Sequence, residues 1–238
     1  MSSAGRIIKL TNTYNITQAK PMPAKKTIDW AEEIKPLLEK YKGKKHPLNY
    51  RNNYELIVVV ILSSQDSDKH INEIAPTLFK AYPSIKDLAK AKAIDIQKFL
   101  KSVRGGFKKT DWIMDFAKTI QAYDKIPKTM DGLKALHGIG RKSANIIIRE
   151  TGGYAEGIVV DIHVLRVVPR IGIAEGTDPK KIESKLMETI PQSDWNDIGM
   201  AFSFLGRDLC RPTDPKCPEC PVNRVCAYYA SEKKNIKK

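Results

Sequence analysis

Apolar residues recur every three or four positions along much of this chain, a spacing that places them on one face of an α-helix. One example is the set Trp112, Phe116 and Ile120. Short loops that contain Pro or Gly separate such segments and mark their ends. The segments predicted to be helical are Ile28–Tyr41, Ile71–Ala81, Ile94–Ser102, Lys109–Ala122, Met130–Leu136, Lys180–Ile190 and Ser193–Leu209. The pattern therefore predicts an all-α fold.

Two runs of β-branched residues, 56–62 and 157–160, have the composition of strands instead. The pattern offers no third or fourth strand with which they could form a sheet. We therefore predict that residues 56–62 form a wholly buried central helix, because burial outweighs a propensity penalty of about half a kcal/mol per residue. Residues 157–160 are expected to form a short extended link.

The chain of 238 residues fits one large domain or two small ones. Its longest apolar run, Leu56 to Leu62, is far too short to cross a bilayer. The first residues lack the charged-then-apolar layout of a secretion signal. We therefore expect an intracellular protein that does not bind membranes, cytoplasmic with the nucleoid in a bacterium and nuclear or organellar in a eukaryote.

The net charge of +14 favours a polyanionic partner such as nucleic acid. More than half of this excess lies near the ends, since residues 1–27 contribute +5 and residues 231–238 contribute +3. We predict that residues 1–27 form a disordered basic arm, with an organelle transit sequence as the alternative. Residues 231–238 are predicted to be a basic tail.

All four cysteines lie close together near the C-terminus, in the spacing C-x6-C-x2-C-x5-C: Cys210, Cys217, Cys220 and Cys226. Such a cluster in an intracellular chain indicates a metal site, with two disulfides as the alternative. Zinc and a [4Fe–4S] cluster both accept four thiolates, so the ligand count leaves both open.

Residues 129–150 predict a short helix, a turn at residues 137–140 and a second helix that begins at about Arg141. Gly138 and Gly140 let the backbone turn sharply and approach another surface. The free N–H groups at the start of the second helix, at Arg141 and Ser143, would then bind a phosphate. An ordinary corner between two helices is the alternative.

Lys142 stands at the start of this second helix. A lysine there is most often a solvated charge. A helix N-terminus and the adjacent Arg141 both disfavour a positive charge on its amine, however, and this would favour a nucleophile. Nineteen residues later, Asp161 interrupts an apolar segment. It either caps a helix, by accepting from the N–H groups near His163 and Val164, or takes part in chemistry.

These motifs resemble the HhH-GPD glycosylase superfamily, and its endonuclease III branch in particular. Residues 136–144 are similar to that branch's L-P-G-V-G-R-K-T-A, with His137 in place of proline, and residues 160–167 match its V-D-x-H-V-x-R-V. The cysteine spacing is similar to the cluster loop of endonuclease III and of the adenine-mismatch glycosylases. The resemblance covers about residues 28–230.

The resemblance implies a two-lobed, all-α fold. Residues 46–155 would form a six-helix barrel that ends in the helix–hairpin–helix. Residues 28–45 and 156–230 would form a second lobe, which holds a [4Fe–4S] cluster as a structural clamp. The groove between the lobes would bind double-stranded DNA that contains damaged bases or abasic sites, and we expect the protein to be a monomer.

The resemblance also implies residue roles. Lys142 would attack the sugar C1′ and form a Schiff base, and Asp161 would stabilise the cationic sugar. Related adenine glycosylases have serine at the position of Lys142 and only remove the base, so lysine implies a bifunctional glycosylase and lyase. Gln65, in a segment similar to L-L-S-A-Q-A-T-D, would fill the gap left by the extruded nucleotide. Arg211 and Lys216 would face a phosphate.

One loop departs from the branch. Residues 103–108 replace a leucine–tyrosine wedge loop, and Phe107 or Arg104 would intercalate instead. Oxidised pyrimidines are the expected substrates. The alternatives are a monofunctional mismatch or uracil-type glycosylase and a non-catalytic DNA-binding module that contains zinc.

Overall fold

The computed structural model describes residues 28–121 and 125–236, which form thirteen α-helices and contain no strand. The all-α prediction is confirmed. Within these residues, no helix is both long and apolar enough to cross a membrane. The helices are α1 Trp30–Glu33, α2 Lys35–Lys40, α3 Asn53–Leu62, α4 Asp68–Ala81, α5 Ile85–Lys90, α6 Ala93–Phe99, α7 Gly106–Ile120, α8 Met130–Lys134, α9 Arg141–Glu150, α10 Val164–Ile171, α11 Pro179–Thr189, α12 Trp195–Asp208 and α13 Ala227–Ile236.

The β-branched run at residues 56–62 lies in the central helix α3, as predicted. Every residue of α3 after Asn53 is buried, and the helix packs against α4, α7 and α9. Its N-terminus is capped by Asn52, whose side chain accepts from the backbone N–H of Glu55. Because apolar neighbours surround α3, burial decides the conformation here and strand propensity does not. Residues 157–160 lie outside any helix and link α9 to α10.

A second buried helix, α12, organises the C-terminal part of the chain. Residues 198–206 of α12 are buried, and the helix contacts α2, α9 and α10. Helix α10 in turn contacts α11 and α13. Since α9 contacts both α3 and α12, it lies between the two groups of helices. We retain as a proposal the division into two lobes, residues 46–155 and residues 28–45 with 156–230.

Some details were not foreseen. The described part of residues 46–155 contains seven helices, α3 to α9, and extended backbone at Ala91 and Lys92 separates α5 from α6. Residues 231–236 belong to helix α13, and the basic tail at residues 231–238 stays a prediction. Tyr228 and Tyr229 anchor that helix by packing against the core. The predicted arm at residues 1–27, the predicted helix end at Ala122 and the last two residues lie outside the described residues.

Candidate nucleic-acid interface and active site

The turn between α8 and α9 is packed on one side and open on the other. Gly138 has φ +82°, and a Cβ atom there would lie 2.6 Å from Cε3 of Trp112. Only glycine tolerates both the positive φ and this close approach. Gly140 is the N-cap of α9, and a Cβ atom there would point into open space. The open side leaves room for another backbone or a phosphate.

His137, which replaces the family's proline, is fixed by a tertiary contact. Its Nδ1 atom lies 2.8 Å from Oδ2 of Asp115 on α7. The neighbouring Ile139 is buried in the core. The turn is therefore held mainly by Gly138 against Trp112 and by the buried Ile139, and the exposed contact of His137 with Asp115 adds to this.

Lys142 is the second residue of α9, and its side chain is exposed. The first intrahelical hydrogen bond of α9 runs from Ala144 N to Gly140 O, at 2.9 Å. The N–H groups of Arg141, Lys142 and Ser143 therefore precede the helical ladder, as the sequence predicted for a phosphate site. Ser143 is half-buried.

The side chain of Arg141 points to a different partner from the predicted phosphate. Its Nε atom donates to Oε2 of Glu183 at 2.7 Å, and its NH2 atom donates to the carbonyl of Glu156 at 3.2 Å. Glu183 is buried, whereas the side chain of Arg141 is 41% exposed. The guanidinium group links α9 to α11, and its contact with DNA stays a prediction.

Glu183 joins three segments, and sequence reasoning did not identify it. Besides the bond from Arg141, its carboxylate accepts from Nδ2 of Asn145 at 3.1 Å and from the backbone N–H of Ile158 at 3.2 Å. A Cβ atom at Gly157 would lie 2.3 Å from Oε1 of Glu183, so the link passes very close to this network. The network fixes the start of α9 relative to the link that leads to Asp161.

Asp161 caps helix α10, as predicted. Its Oδ1 atom accepts from the backbone N–H groups of His163 at 2.8 Å and Val164 at 2.9 Å. Its Oδ2 atom accepts from the hydroxyl of Ser203 at 2.6 Å. Arg207 lies 4.0 Å from the same oxygen. The buried position of this carboxylate is therefore compensated by three donors and a nearby positive charge.

Arg207 also bridges to the N-terminal group of helices. Its NH2 atom donates to Oδ2 of Asp68, the first residue of α4, at 3.1 Å. His163 packs beside this group, where burial lowers its pKa against the opposing effect of Asp161. Its Nδ1 atom lies 3.2 Å from NH2 of Arg166, which fits the packed, hydrogen-bonded role expected for this histidine.

His46 is a buried histidine. Its Nδ1 atom accepts from the backbone N–H of Leu48 at 3.2 Å. Burial lowers the pKa of His46, the charges of Asp68 and Glu150 raise it, and those of Lys142 and Arg207 lower it. Sequence reasoning found neither His46 nor Arg207.

Gln65 is exposed on the turn that follows α3, and its φ of +58° is unusual for a residue with a side chain. Lys109, a buried lysine of α7, holds this turn from the side of the core. Its Nζ atom donates to the carbonyls of Leu62 at 2.7 Å and Ser64 at 2.6 Å. Burial lowers the pKa of Lys109, against the opposing effect of Asp66.

Asp66 joins the Gln65 turn to the loop at residues 103–108. Its Oδ2 atom accepts from the backbone N–H of Arg104 at 3.1 Å, and its Oδ1 atom lies 2.8 Å from Nδ1 of His70. Arg104 is exposed, and Phe107 is 76% exposed on the first turn of α7. An aromatic ring so open to water is unusual, and it lies on a loop that is tied to Gln65.

The four cysteines line one small, largely apolar cavity together with residues such as Ile171, Leu205 and Tyr228. All four are free thiols. Burial raises the pKa of the Cys220 thiol to about 11 and also raises that of Cys217 and Cys226. Among residues 28–121 and 125–236, no three His, Cys, Asp or Glu side chains converge closely enough to hold a single metal ion.

Arg170 borders this cavity. Its NH1 atom lies 3.7 Å from Sγ of Cys210 and donates to the carbonyl of Arg211 at 2.7 Å. Arg170 places a positive charge beside the thiols, which sequence reasoning did not foresee. The predicted phosphate-binding residues Arg211 and Lys216 are both exposed, on the segment between the first two cysteines.

Known proteins resemble this chain over most of its length. Residues 58–192 match the HhH-GPD superfamily of base excision DNA repair proteins. Endonuclease III of Synechocystis sp. is 34% identical over 200 residues, which cover 82% of this chain and 91% of that protein. Endonuclease III of Bacillus subtilis is 34% identical over 182 residues, 75% of this chain and 83% of that protein.

Solved structures agree with this relationship. A trapped endonuclease III–DNA covalent intermediate has a TM-score of 0.73 at 28% identity and covers 83% of this chain and 93% of that one. A thermostable thymine-DNA glycosylase shares the fold, with a TM-score of 0.70 at 19% identity, over 83% of this chain and 95% of that one. The chain therefore belongs to the endonuclease III family of the HhH-GPD superfamily.

Proposed function

We propose that this protein is a base-excision repair DNA glycosylase with AP-lyase activity, and that it removes oxidised pyrimidines from duplex DNA. Its family and its likeness to a trapped endonuclease III–DNA intermediate support this activity. The Lys142 amine attacks C1′ of the damaged nucleotide, the base leaves, and amine and sugar form a Schiff base. Loss of a proton from C2′ then breaks the 3′ phosphodiester bond by β-elimination.

The observation that carries this proposal is the position of Lys142, an exposed second residue of α9 whose N–H group precedes the helical ladder. Asp161 is fixed on its own segment by two backbone N–H groups and by Ser203. An exposed amine suits attack on a nucleotide that has left the base stack. The carboxylate stabilises the positive charge that develops on the sugar.

Contacts with DNA would come from three parts of the described chain. The backbone N–H groups at the start of α9, next to Gly138, Gly140 and Ser143, bind a phosphate without reading sequence. Gln65 enters the space of the extruded nucleotide, and Phe107 stacks on a neighbouring base. Arg211 and Lys216 add phosphate contacts. The substrate is double-stranded DNA with damaged bases or abasic sites.

We assign a [4Fe–4S] cluster to the four cysteines. They fit this group because four free thiols line one cavity, which gives one thiolate for each iron. When bound, the cluster supplies a rigid cross-link between the end of α12 and the start of α13. Base excision transfers no electrons, so the role is structural. We also propose that the protein is a monomer. Its expected location is the nucleoid in a bacterium, and the nucleus or an organelle in a eukaryote.

Metal analysis of the purified protein tests the cluster. We expect iron and acid-labile sulfide, with a brown absorbance near about 400 nm from thiolate-to-iron charge transfer. Cys217→Ser should lose the absorbance and the iron together. Zinc in place of iron would contradict the assignment and would favour the zinc-containing DNA-binding module.

Borohydride trapping tests the reaction. The wild-type protein, incubated with a duplex that contains thymine glycol, should become covalently attached to DNA when the Schiff base is reduced. Lys142→Ala should form no adduct. Lys180→Ala is the matched control, because Lys180 is also an exposed second residue of a helix, α11, and it should trap like the wild type. Base release by the wild-type protein without an adduct would indicate a monofunctional glycosylase.

A further inference from the structure

Ser203 is a buried hydroxyl with an unusual partner. It lies in the middle of α12 with 0% of its surface exposed. A serine or threonine inside a helix commonly donates to a carbonyl three or four residues earlier. Thr110 of α7 does so, to the carbonyl of Gly106 at 2.9 Å. Ser203 instead donates to Oδ2 of Asp161 at 2.6 Å, on a distant segment of the chain.

The direction of this hydrogen bond follows from the neighbouring Arg207. Its Nε atom lies 3.5 Å from Oγ of Ser203. A guanidinium group can only donate, so the lone pair of Oγ faces Arg207 and the hydroxyl proton goes to Asp161. Arg207 is held in turn by Asp68 at 3.1 Å. The chain of donors therefore runs from Arg207 through Ser203 to the carboxylate.

The two oxygens of Asp161 are thus fixed by different elements. Oδ1 accepts from the backbone at the start of α10, and Oδ2 accepts from α12. Rotation of the carboxyl group would break at least one of these bonds. The side chain of Asp161 is 11% exposed, so the carboxylate is still partly accessible. Without Ser203, Oδ2 would keep only the more distant Arg207, at 4.0 Å.

We propose that Ser203 is a positioning residue for the reaction, which holds the Oδ2 oxygen of the Asp161 carboxylate in a fixed place. This inference rests on the proposed role of Asp161. The hydrogen bond removes a rotational degree of freedom that the carboxylate would otherwise lose in the transition state.

The test is the rate of Ser203→Ala, measured under single-turnover conditions on a thymine-glycol duplex. We expect the rate to fall by roughly 10-fold, the scale of a hydrogen bond to a charged group. Binding to a duplex with an uncleavable abasic-site analogue should stay unchanged, since Ser203 does not reach the surface.

Thr110→Val is the matched control, because it also removes a buried helical hydroxyl. It should leave the single-turnover rate of the folded protein unchanged. A second measurement combines Ser203→Ala with Asp161→Asn. If Ser203 acts through Asp161, the serine change has no further effect on the asparagine variant.

An unchanged single-turnover rate for Ser203→Ala, or an equal loss in the Asp161→Asn background, would overturn the positioning role. Ser203 would then only pack in the core. The proposed function fails in a different way, through full activity of both Lys142→Ala and Asp161→Asn. The two failures can therefore be told apart.

Discussion

The turn after α3 and the turn before α9 each bring a lysine to a helix end, and the two lysines have opposite surroundings. Lys109 is buried at the C-terminal end of α3, where it donates to the carbonyls of Leu62 and Ser64. Lys142 is exposed at the N-terminal end of α9. A helix dipole favours an ammonium at its C-terminus and disfavours one at its N-terminus.

The two lysines differ in access and in bonding. Burial lowers the pKa of Lys109, yet its amine is enclosed and bonded to two backbone carbonyls. No nucleotide could reach it without opening the core. Lys142 has the reverse combination, with an exposed amine above open backbone N–H groups.

Lys142→Met should separate chemistry from stability. Loss of the nucleophile should lower the rate of β-elimination at a preformed abasic site by roughly 1,000-fold or more. The free energy of unfolding should change by less than about 0.5 kcal/mol, because the side chain is exposed. Single-turnover cleavage and urea unfolding measure the two effects. If Lys142→Met lost stability as well as activity, Lys142 would be a structural lysine like Lys109, and the prediction would be wrong.

Lys109→Met should have the opposite outcome. Two carbonyls at the end of α3 lose a charged donor, so the free energy of unfolding should fall by about 2–4 kcal/mol. Urea denaturation measures this change. Lys118→Met on the exposed face of α7 is the control and should change stability by less than about 0.5 kcal/mol. Equal effects of the two variants would show that the carbonyl contacts of Lys109 contribute nothing.

The pH dependence of the free energy of unfolding, compared between the wild type and Asp66→Asn, tests the turn after α3. Burial raises the pKa of Asp66, but hydrogen bonds from His70 and from the backbone N–H groups of Arg104 and Ser67 outweigh this and lower it overall. The charged form therefore stabilises the fold at neutral pH, by roughly 1 kcal/mol relative to asparagine. As the pH falls below the ordinary value of 3.8, this advantage should disappear. Unfolding curves at several pH values measure it, and a constant difference would contradict the account.

His137→Ala should have the smallest effect, because the pair with Asp115 is largely exposed. We expect the free energy of unfolding to fall by less than about 1 kcal/mol. Asp115→Ala should match it, and the double variant should be no worse than either single one. His137→Pro should restore the loss through backbone rigidity. Additive effects in the double variant would mean that His137 does not act through Asp115.

The features that the sequence predicted correctly are local ones. The start of α9 at Arg141, the cap formed by Asp161 and the burial of α3 follow from neighbouring residues and from local hydrophobicity. Helix α5 was not predicted, although the sequence contains a signal for it. That signal is the capping box formed by Ser84 and Asp87 at the start of the helix. Helix α13 has no clear apolar periodicity and is stabilised by contact with α10.

The features that could not be predicted from the sequence are polar contacts between residues far apart in the chain. Glu183 reaches Arg141, and Ser203 and Arg207 reach Asp161, across more than thirty positions of the chain. Nothing in the local pattern marks these partners, because a serine in α12 or a glutamate in α11 has ordinary neighbours. The ion pair of Arg141 could not be predicted for the same reason, since Glu183 lies on another helix.

The most direct test of the central claim is to locate the amine that becomes attached to DNA. After borohydride reduction of the complex with a thymine-glycol duplex, proteolysis and mass spectrometry should find the modified sugar on the peptide that contains Lys142. The account predicts this adduct at Lys142 and an unmodified Lys109. An adduct on the N-terminal amine or on any other lysine, with Lys142 unmodified, would contradict it.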